Sequence, residues 1–306
     1  MNYTLHQLQV FTKVVQLKSI TKAANQLFLT QPGVSIQLKN FQDNFDIPLT
    51  ELIGRQLYIT EFGYEIAAIA SGILEQFETI NQKTAAFKGI LAGRLKIAVV
   101  STGKYVMPYF LSGFLNEHPD IDITMDVTNR DTVIKSLEYN DVDFGLVSIL
   151  PNKLSVEEEL LLENKLFLIG NANYHVGHKP QNASDLANIP LIYREVGSAT
   201  RMIMENFLDA GNIIVKKKIE LTSNEAVKQA VIAGMGYSVM PVIGIRNEIA
   251  NGELEIIPVP GFPIRSQWRL IWLKGKKFSP VAKSFIAYLQ QNKATVISQS
   301  FGWINQ

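Results

Sequence analysis

The stretch Ser19-Ile-Thr-Lys-Ala-Ala-Asn-Gln-Leu27, followed closely by Thr30-Gln-Pro-Gly-Val-Ser35, decides the amino-terminal fold. Each segment opens with a serine or threonine, which caps helices, and the second has a proline in its first turn, where a missing N–H costs little. Upstream, apolar residues recur at spacings of three and four from Leu5 to Val15, which is typical of a helix with one buried face. These features predict three short helices in succession.

A hairpin follows the three helices. Gly54 and Gly63 bracket residues 55–60, whose alternating side chains are typical of a short strand. Three helices and a hairpin together predict a winged helix-turn-helix domain over residues 1–60.

Residues 61–88 contain no proline and predict one long helix. Four apolar residues recur there every seven positions: Ile66, Ile73, Ile80 and Phe87. Such a stripe is typical of helices that pair, and about four turns of it exceed what a headpiece of this size can cover. We therefore predict a dimerising linker helix; the alternative is a helix packed only on its own domain. Residues 89–93, Gly-Ile-Leu-Ala-Gly, predict a hinge.

The remainder, residues 94–306, alternates short apolar strands with helical segments. This alternation predicts a parallel sheet covered by helices. The length suits two α/β lobes with a ligand cleft between them. We expect lobe I at about residues 94–162 and 268–300, and lobe II at about residues 163–267. The expected fold class is thus multidomain: a winged helix-turn-helix, a long linker helix and a two-lobed α/β domain.

Composition excludes several classes of protein. The 306 residues are 47% hydrophobic and 19% charged, as in ordinary globular proteins. A net charge of +1 leaves no chain-wide field, so any anion site is local. The absence of cysteine rules out disulfides, thiolate metal sites and a cysteine nucleophile. No secretory signal or long apolar run is evident, so we expect a soluble, cytoplasmic protein.

Catalytic and metal motifs are weak. The only close histidine pair is His175 and His178, but Gly177 between them favours a loop rather than a metal-binding helix. The chain has no phosphate-binding loop with its lysine and no serine nucleophile elbow. We therefore expect no enzymatic activity, no cofactor and no metal.

DNA recognition is better supported. The third helix is expected to bury Val34, Leu38 and Phe41 and to expose Gln31 and Gln37, whose amides match an adenine edge in the major groove. Ser35 and Lys39 suit phosphate oxygens, as do Thr21 and Lys22 on the preceding helix and Arg55 at the wing. The alternative for these residues is a solvated helix face.

These headpiece motifs, together with Ile47-Pro-Leu49 and the run from Gly54 to Gly63, resemble LysR-type transcriptional regulators. The family's plan of winged headpiece, dimerising helix and two-lobed effector domain, which resembles periplasmic binding proteins, covers nearly the whole chain. The resemblance implies as partners operator DNA with dyad half-sites, a small anionic effector and further copies in a homodimer or homotetramer, and it allows RNA polymerase. The predicted DNA-binding residues are Thr21, Lys22, Thr30, Gln31, Pro32, Ser35, Gln37, Lys39, Arg55 and Thr60.

Four effector-domain segments resemble the Calvin-cycle regulator subgroup: residues 101–105, 129–131, 193–201 and 223–230. This resemblance implies a phosphorylated metabolite or a nicotinamide nucleotide as effector. The residues agree with an anion site, because Ser101 and Thr102 lie between a strand and a helix start, where N–H groups favour negative charge. The predicted effector-binding residues are Ser101, Thr102, Lys104, Asn129, Arg130, Ser148, Arg194, Ser198, Thr200, Arg201 and Asn224.

Two alternatives remain open from the sequence. The predicted arginines can instead pair with neighbouring acids, Asp131, Glu195 and Glu225, as ordinary surface bridges. The whole chain can also be an α/β binding protein or transferase whose helical amino terminus only mediates assembly. Loss of DNA binding on deletion of residues 1–60, with ligand binding retained, distinguishes a regulator from this second class.

Overall fold

The computed structural model describes residues 3–54, 56–87 and 91–305, which form two compact units that divide after Gly93. Residues 88–90, which hold the end of the predicted linker helix and part of the predicted hinge, lie outside the described residues, as does Arg55. No described helix is both long and apolar enough to cross a lipid bilayer.

The first unit contains four helices and a hairpin: α1 (Leu5–Leu17), α2 (Ile20–Leu27), α3 (Gln31–Gln42), β1 (Thr50–Ile53), β2 (Gln56–Ile59) and α4 (Glu61–Phe87). Side chains of Thr4, Ser19 and Thr30 cap α1, α2 and α3. Strands β1 and β2 pair antiparallel around Gly54, whose φ of 64° suits glycine. The winged helix-turn-helix expected from the sequence is thus present.

Helix α4 carries two different apolar stripes. Ala67 and Ala70 are buried in the headpiece core, and Ile66 and Leu74 pack against that core. A second stripe is exposed: Ile69, Ile73, Phe77 and Ile80. The seven-residue repeat in the sequence groups Ile66 with Ile73 and Ile80. In the structure, Ile66 packs on the headpiece core, whereas Ile73 and Ile80 are exposed. We call these four exposed residues the α4 seam.

The second unit opens with β3 (Gly93–Val100), which a short 3-10 helix (Ser101–Tyr105) follows. Its further elements, in chain order, are α5 (Met107–Glu117), β4 (Ile121–Thr128), α6 (Arg130–Glu138), β5 (Phe144–Val147), β6 (Val156–Asn171), β7 (Pro190–Arg194), α7 (Ala199–Ala210), β8 (Lys217–Leu221), α8 (Asn224–Ile232), β9 (Ser238–Pro241), α9 (Arg246–Ala250), β10 (Leu254–Ile256), β11 (Ile264–Leu273) and α10 (Pro280–Phe301).

The expectation of a parallel sheet is wrong, because the main sheet is mixed. Its strand order is β10-β6-β11-β5-β3-β4, with β9 also on β6. Strand β3 pairs parallel with β5, whereas β11 pairs antiparallel with both β5 and β6. The first half of β6 carries Glu157, Glu158 and Glu159, a composition that does not read as a strand. Pairing with β11 holds this half in the sheet.

The second unit folds as two α/β lobes, which the long strands β6 and β11 join. One lobe contains β3, β4, β5, α5 and α6. The other is built on the parallel pair β7 and β8 with α7 and α8, and its core includes Leu191, Tyr193 and Tyr237. Residues from both lobes meet at the site described below.

Candidate functional site

Helix α3 is fixed by its cap and by its buried face. The Thr30 hydroxyl accepts a hydrogen bond from the Gly33 N–H at 3.2 Å. Val34, Leu38 and Phe41 are buried in the headpiece core, as the sequence predicts. The opposite side of α3 is therefore available to a partner.

The predicted DNA contacts fall into three groups. Five are exposed and do not cap a helix: Thr21, Lys22, Gln31, Pro32 and Lys39. Ser35 and Gln37 are half-buried at the sides of α3. The remaining two described residues have their hydroxyls in capping bonds: Thr30 as above, and Thr60, which donates to the Pro48 carbonyl at 2.7 Å and accepts from the Gly63 N–H at 2.9 Å.

Two residues at the centre of the exposed face of α3 are not among the predicted DNA contacts. Ile36 has 57% of its surface exposed, and Asn40, one turn later, is also exposed. At 100° per residue these two lie opposite the buried stripe, whereas Gln31 and Gln37 flank it on different sides. The helical period of the sequence is enough to place both residues opposite the buried stripe. Ile36 differs from most of the predicted contacts because its side chain forms no hydrogen bonds.

In the second unit, helix N-termini converge on one cavity that opens to solvent. The lining residues are Val100, Ser101, Thr102, Asn129, Arg130, Arg194, Ser198, Ala199, Thr200 and Asn224. They stand at the starts of α6, α7, α8 and the 3-10 helix. Helix N-termini carry unpaired N–H groups and partial positive charge, so this geometry suits an anion.

Two arginines add charge to the cavity wall. The Arg130 guanidinium is held by the carbonyls of Ile149 (3.0 Å) and Leu150 (2.7 Å). Arg194 is 5% exposed, and its Nε and Nη2 donate to the two carboxylate oxygens of Glu195 at 2.8 and 2.9 Å. Arg130 also pairs with Asp131, with 3.3 Å between Nη1 and Oδ1. The alternative in which the arginines pair with neighbouring acids thus holds in part for both Arg130 and Arg194, although both also line the cavity.

Asn224 is 2% exposed and lies at the start of α8. Its Oδ1 accepts a hydrogen bond from Nη1 of Arg194. Its Nδ2 has no hydrogen-bond partner within the part of the chain that the structure describes. A buried amide donor without a partner costs about 1–3 kcal/mol, and a bound anion would satisfy it.

Three predicted effector residues do not line the cavity. Arg201 donates to Glu205 at 2.8 Å and to Glu220, so its charge is already paired. The Lys104 ammonium lies 5.0 Å from the centre of the Tyr105 ring. Ser148 is buried directly after β5.

Charge balance beside the cavity also involves Glu225 in the first turn of α8. Burial raises the pKa of Glu225, but hydrogen bonds from Lys228 and Gln229, with the charges of Lys228 and Lys104, outweigh burial and lower it overall. Glu225 is therefore ionised at neutral pH. Lys104 thus contributes to keeping the Glu225 carboxyl ionised.

The described residues contain no cluster of histidine and carboxylate groups able to hold a metal. His175 instead meets Glu255, with 3.1 Å between Nε2 and Oε1.

Two family profiles match the chain. Residues 5–64 match "Bacterial regulatory helix-turn-helix protein, lysR family", and residues 88–294 match "LysR substrate binding domain". Together they cover the headpiece and most of the second unit.

Similar proteins include the HTH-type transcriptional activator CmpR of Synechocystis sp., 36% identical over 98% of this chain and 99% of that protein. The RuBisCO operon transcriptional regulator of Acidithiobacillus ferrooxidans is 36% identical over 94% of this chain and 93% of its own length. Among solved structures, the Synechocystis CcmR regulatory domain in complex with 2-PG has a TM-score of 0.62 and 33% identity. It covers 66% of this chain and 97% of that domain.

Proposed function

Because the chain belongs to the LysR family of bacterial transcription regulators, we propose that a small phosphorylated anion bound between its lobes controls its binding to operator DNA. Helix α3 and the wing form the DNA-binding surface, and the α4 seam joins two copies of the chain. The relatives are named transcriptional regulators, which places the chain among regulators rather than enzymes.

The observation that carries the effector proposal is the convergence of helix starts on one cavity. Helices α6, α7 and α8 each have nine or more residues, so each presents N–H groups of its first turn. The N–H groups of Asp131, Thr132 and Ala226 already have partners. The hydroxyls of Ser101 and Thr102 and the free donor of Asn224 add neutral hydrogen bonds. Backbone donors suit a phosphate or carboxylate group. Arg130 and Arg194 each pair with a carboxylate, and both still line the cavity, where a guanidinium adds charge-assisted donors.

A similar domain of known structure narrows the ligand class. The similar CcmR domain binds 2-PG. We therefore propose a small phosphorylated carboxylate such as 2-phosphoglycolate.

Assembly follows from the α4 seam. Its four residues are between 39% and 61% exposed, and a contiguous apolar stripe of this length marks an interaction site. We propose that it pairs with the same stripe of a second copy. One dimer then spans two half-sites, and the linkage raises the effective concentration of the second headpiece.

Calorimetry on the full chain tests the effector proposal. Wild type titrated with 2-phosphoglycolate is expected to bind, whereas glycolate, which lacks the phosphate, is expected to give no measurable heat. Arg130→Gln should weaken binding about ten-fold or more, because a charge-assisted contact contributes roughly 1.5–3 kcal/mol.

The matched control is Arg265→Gln, since Arg265 is an exposed arginine of the same unit that pairs with Glu163. It should bind as wild type does. Equal affinities in the Arg130 and Arg265 variants would show that the anion binds elsewhere. Absence of binding across phosphorylated carboxylates and sugar phosphates would overturn the effector class.

A further inference from the structure

Ile36 occupies an unusual place on the outward face of α3. It has 57% of its surface exposed, one turn after Pro32 and one turn before Asn40, which are both exposed. The three residues form a row along the helix, directly opposite the buried stripe. Any DNA that receives this helix meets Ile36 at the middle of the contact.

The headpiece itself does not explain an isoleucine there. A β-branched side chain lowers helix propensity, and this one packs against no core cluster of the described headpiece. Its neighbours on the same side are polar, with Lys39 fully outward and Ser35 at the edge. An isolated aliphatic group in such a setting contributes little to folding.

We propose that Ile36 is a specificity-determining residue that reads the 5-methyl group of a thymine in the major groove. This inference rests on the proposed operator binding through α3. The thymine methyl is the apolar feature of the major-groove edges, and the other features are hydrogen-bond donors and acceptors. Ile36 can satisfy none of those, so it gains by contact with a methyl group.

The same chemistry rejects other bases. An isoleucine pressed against the amino group of cytosine or the acceptors of guanine removes their water without replacing the hydrogen bonds. Lys39 lies three residues further along on the exposed side, so its ammonium can reach a backbone phosphate while Ile36 faces the base. The helix therefore carries a positioning contact beside an apolar reader.

The test removes the methyl group of thymine from the DNA and the aliphatic carbons beyond Cβ from Ile36. A duplex is first selected from a randomised library by the wild-type full chain, and each thymine of its half-sites is then replaced by uracil. For wild type we expect one position per half-site where the loss weakens binding about four-fold, which is the effect of one buried methyl group of about 0.8 kcal/mol. In Ile36→Ala that position should become insensitive to the replacement.

Two controls separate this reading from a folding effect. Ile214→Ala removes an isoleucine that is 84% exposed in the other unit, and it should keep the wild-type uracil profile. Ile36→Ala should unfold at the wild-type temperature or slightly above it, because alanine favours helix and no packing is lost. Rescue by 5-methylcytosine in a cytosine-substituted site would add direct support.

The inference is overturned if uracil has the same effect in wild type and Ile36→Ala at every thymine. A wild-type protein that selects no duplex would instead contradict operator binding itself, and the methyl contact with it.

Discussion

Nη1 of Arg194 donates to Oδ1 of Asn224, while Nδ2 of the same amide has no partner within the described chain. The arginine thereby fixes the amide so that its donor end is left for a ligand. Glu195 in turn holds Arg194 from its other side. The amide is thus oriented before any anion arrives, and the entropy lost on binding is reduced.

Replacing Asn224 by aspartate should weaken anion binding while preserving the fold. The carboxylate keeps the acceptor for Arg194, but it removes the free donor and adds a negative charge to the cavity. We expect calorimetry to show a loss of affinity of at least about ten-fold, or about 1.4 kcal/mol. Asn188→Asp is the matched control, because its exposed Oδ1 also accepts from a cation, Lys216; an equal loss there would indicate a general charge effect.

Gly63→Ala should destabilise the headpiece. A Cβ at Gly63 would lie 2.1 Å from the Leu49 carbonyl oxygen, at the junction of the wing with α4. Backbone must move, so we expect a cost of about 1–3 kcal/mol or more. Gly72→Ala in the same helix meets nothing within 4 Å, and it should be neutral or stabilising by about 0.5–1 kcal/mol. Hydrogen exchange of peptides from α1 measures the stability of the headpiece in both variants. Faster exchange in the Gly72 variant alone would contradict the predicted clash at Gly63.

Lysines at Ile69 and Ile73 should separate the copies of the chain. Each ammonium would have to lose its water within the seam, at a cost of several kcal/mol. Sedimentation of the double variant should show a smaller species, with weaker binding to DNA. Ala68→Lys, which is exposed and faces away from the seam, should leave assembly intact. An unchanged oligomer in the double variant would show that copies associate through another surface.

Gln31→Ala and Lys39→Ala should weaken DNA binding in different ways. Loss of a base-reading amide should cost about 1–3 kcal/mol with the preferred sequence and relax preference at one base pair. Loss of a phosphate contact should weaken binding to all sequences alike and reduce the salt slope by about one. Fluorescence anisotropy over a salt series distinguishes them, and identical profiles for the two variants would refute the assignment of roles.

Asp143 gives the second unit a defined pH dependence. Burial raises the pKa of Asp143 above its ordinary value of 3.8, although the Lys96 N–H, which donates to its carboxylate at 2.9 Å, and the charges of Lys276 and Lys96 oppose this. The folded state therefore binds a proton more tightly than the unfolded state, so stability falls as pH rises from about 3.8 through the raised pKa.

Asp143→Asn keeps an acceptor for the Lys96 N–H and removes this titration. The variant should gain stability relative to wild type as pH rises from 4 toward neutrality, and the difference should then level off. Urea unfolding followed by tryptophan fluorescence measures it, because all three tryptophans lie in this unit. A difference that shrinks with rising pH would mean that the charges outweigh burial.

Local signals made the headpiece and the helix starts predictable from sequence. Caps such as Thr30 and the buried period of α3 depend on residues a few positions apart. The missed features depend on distant partners. Strand β6 extends through its acidic first half because Arg269 of β11 donates to both carboxylate oxygens of Glu158 at 2.8 Å. Arg201 turns away from the cavity because Glu220 of β8 lies beside it.

The central claim is that the anion cavity and the DNA-binding helix belong to one regulatory equilibrium. Its most direct test measures operator affinity with and without 2-phosphoglycolate, and 2-phosphoglycolate affinity with and without operator, on the same full-length protein. Thermodynamic linkage requires the two ratios to be equal, and we expect a factor of about 5–150 in both, the usual range of allosteric coupling. Ratios of one in both directions, with each ligand still bound, would contradict effector control of DNA binding.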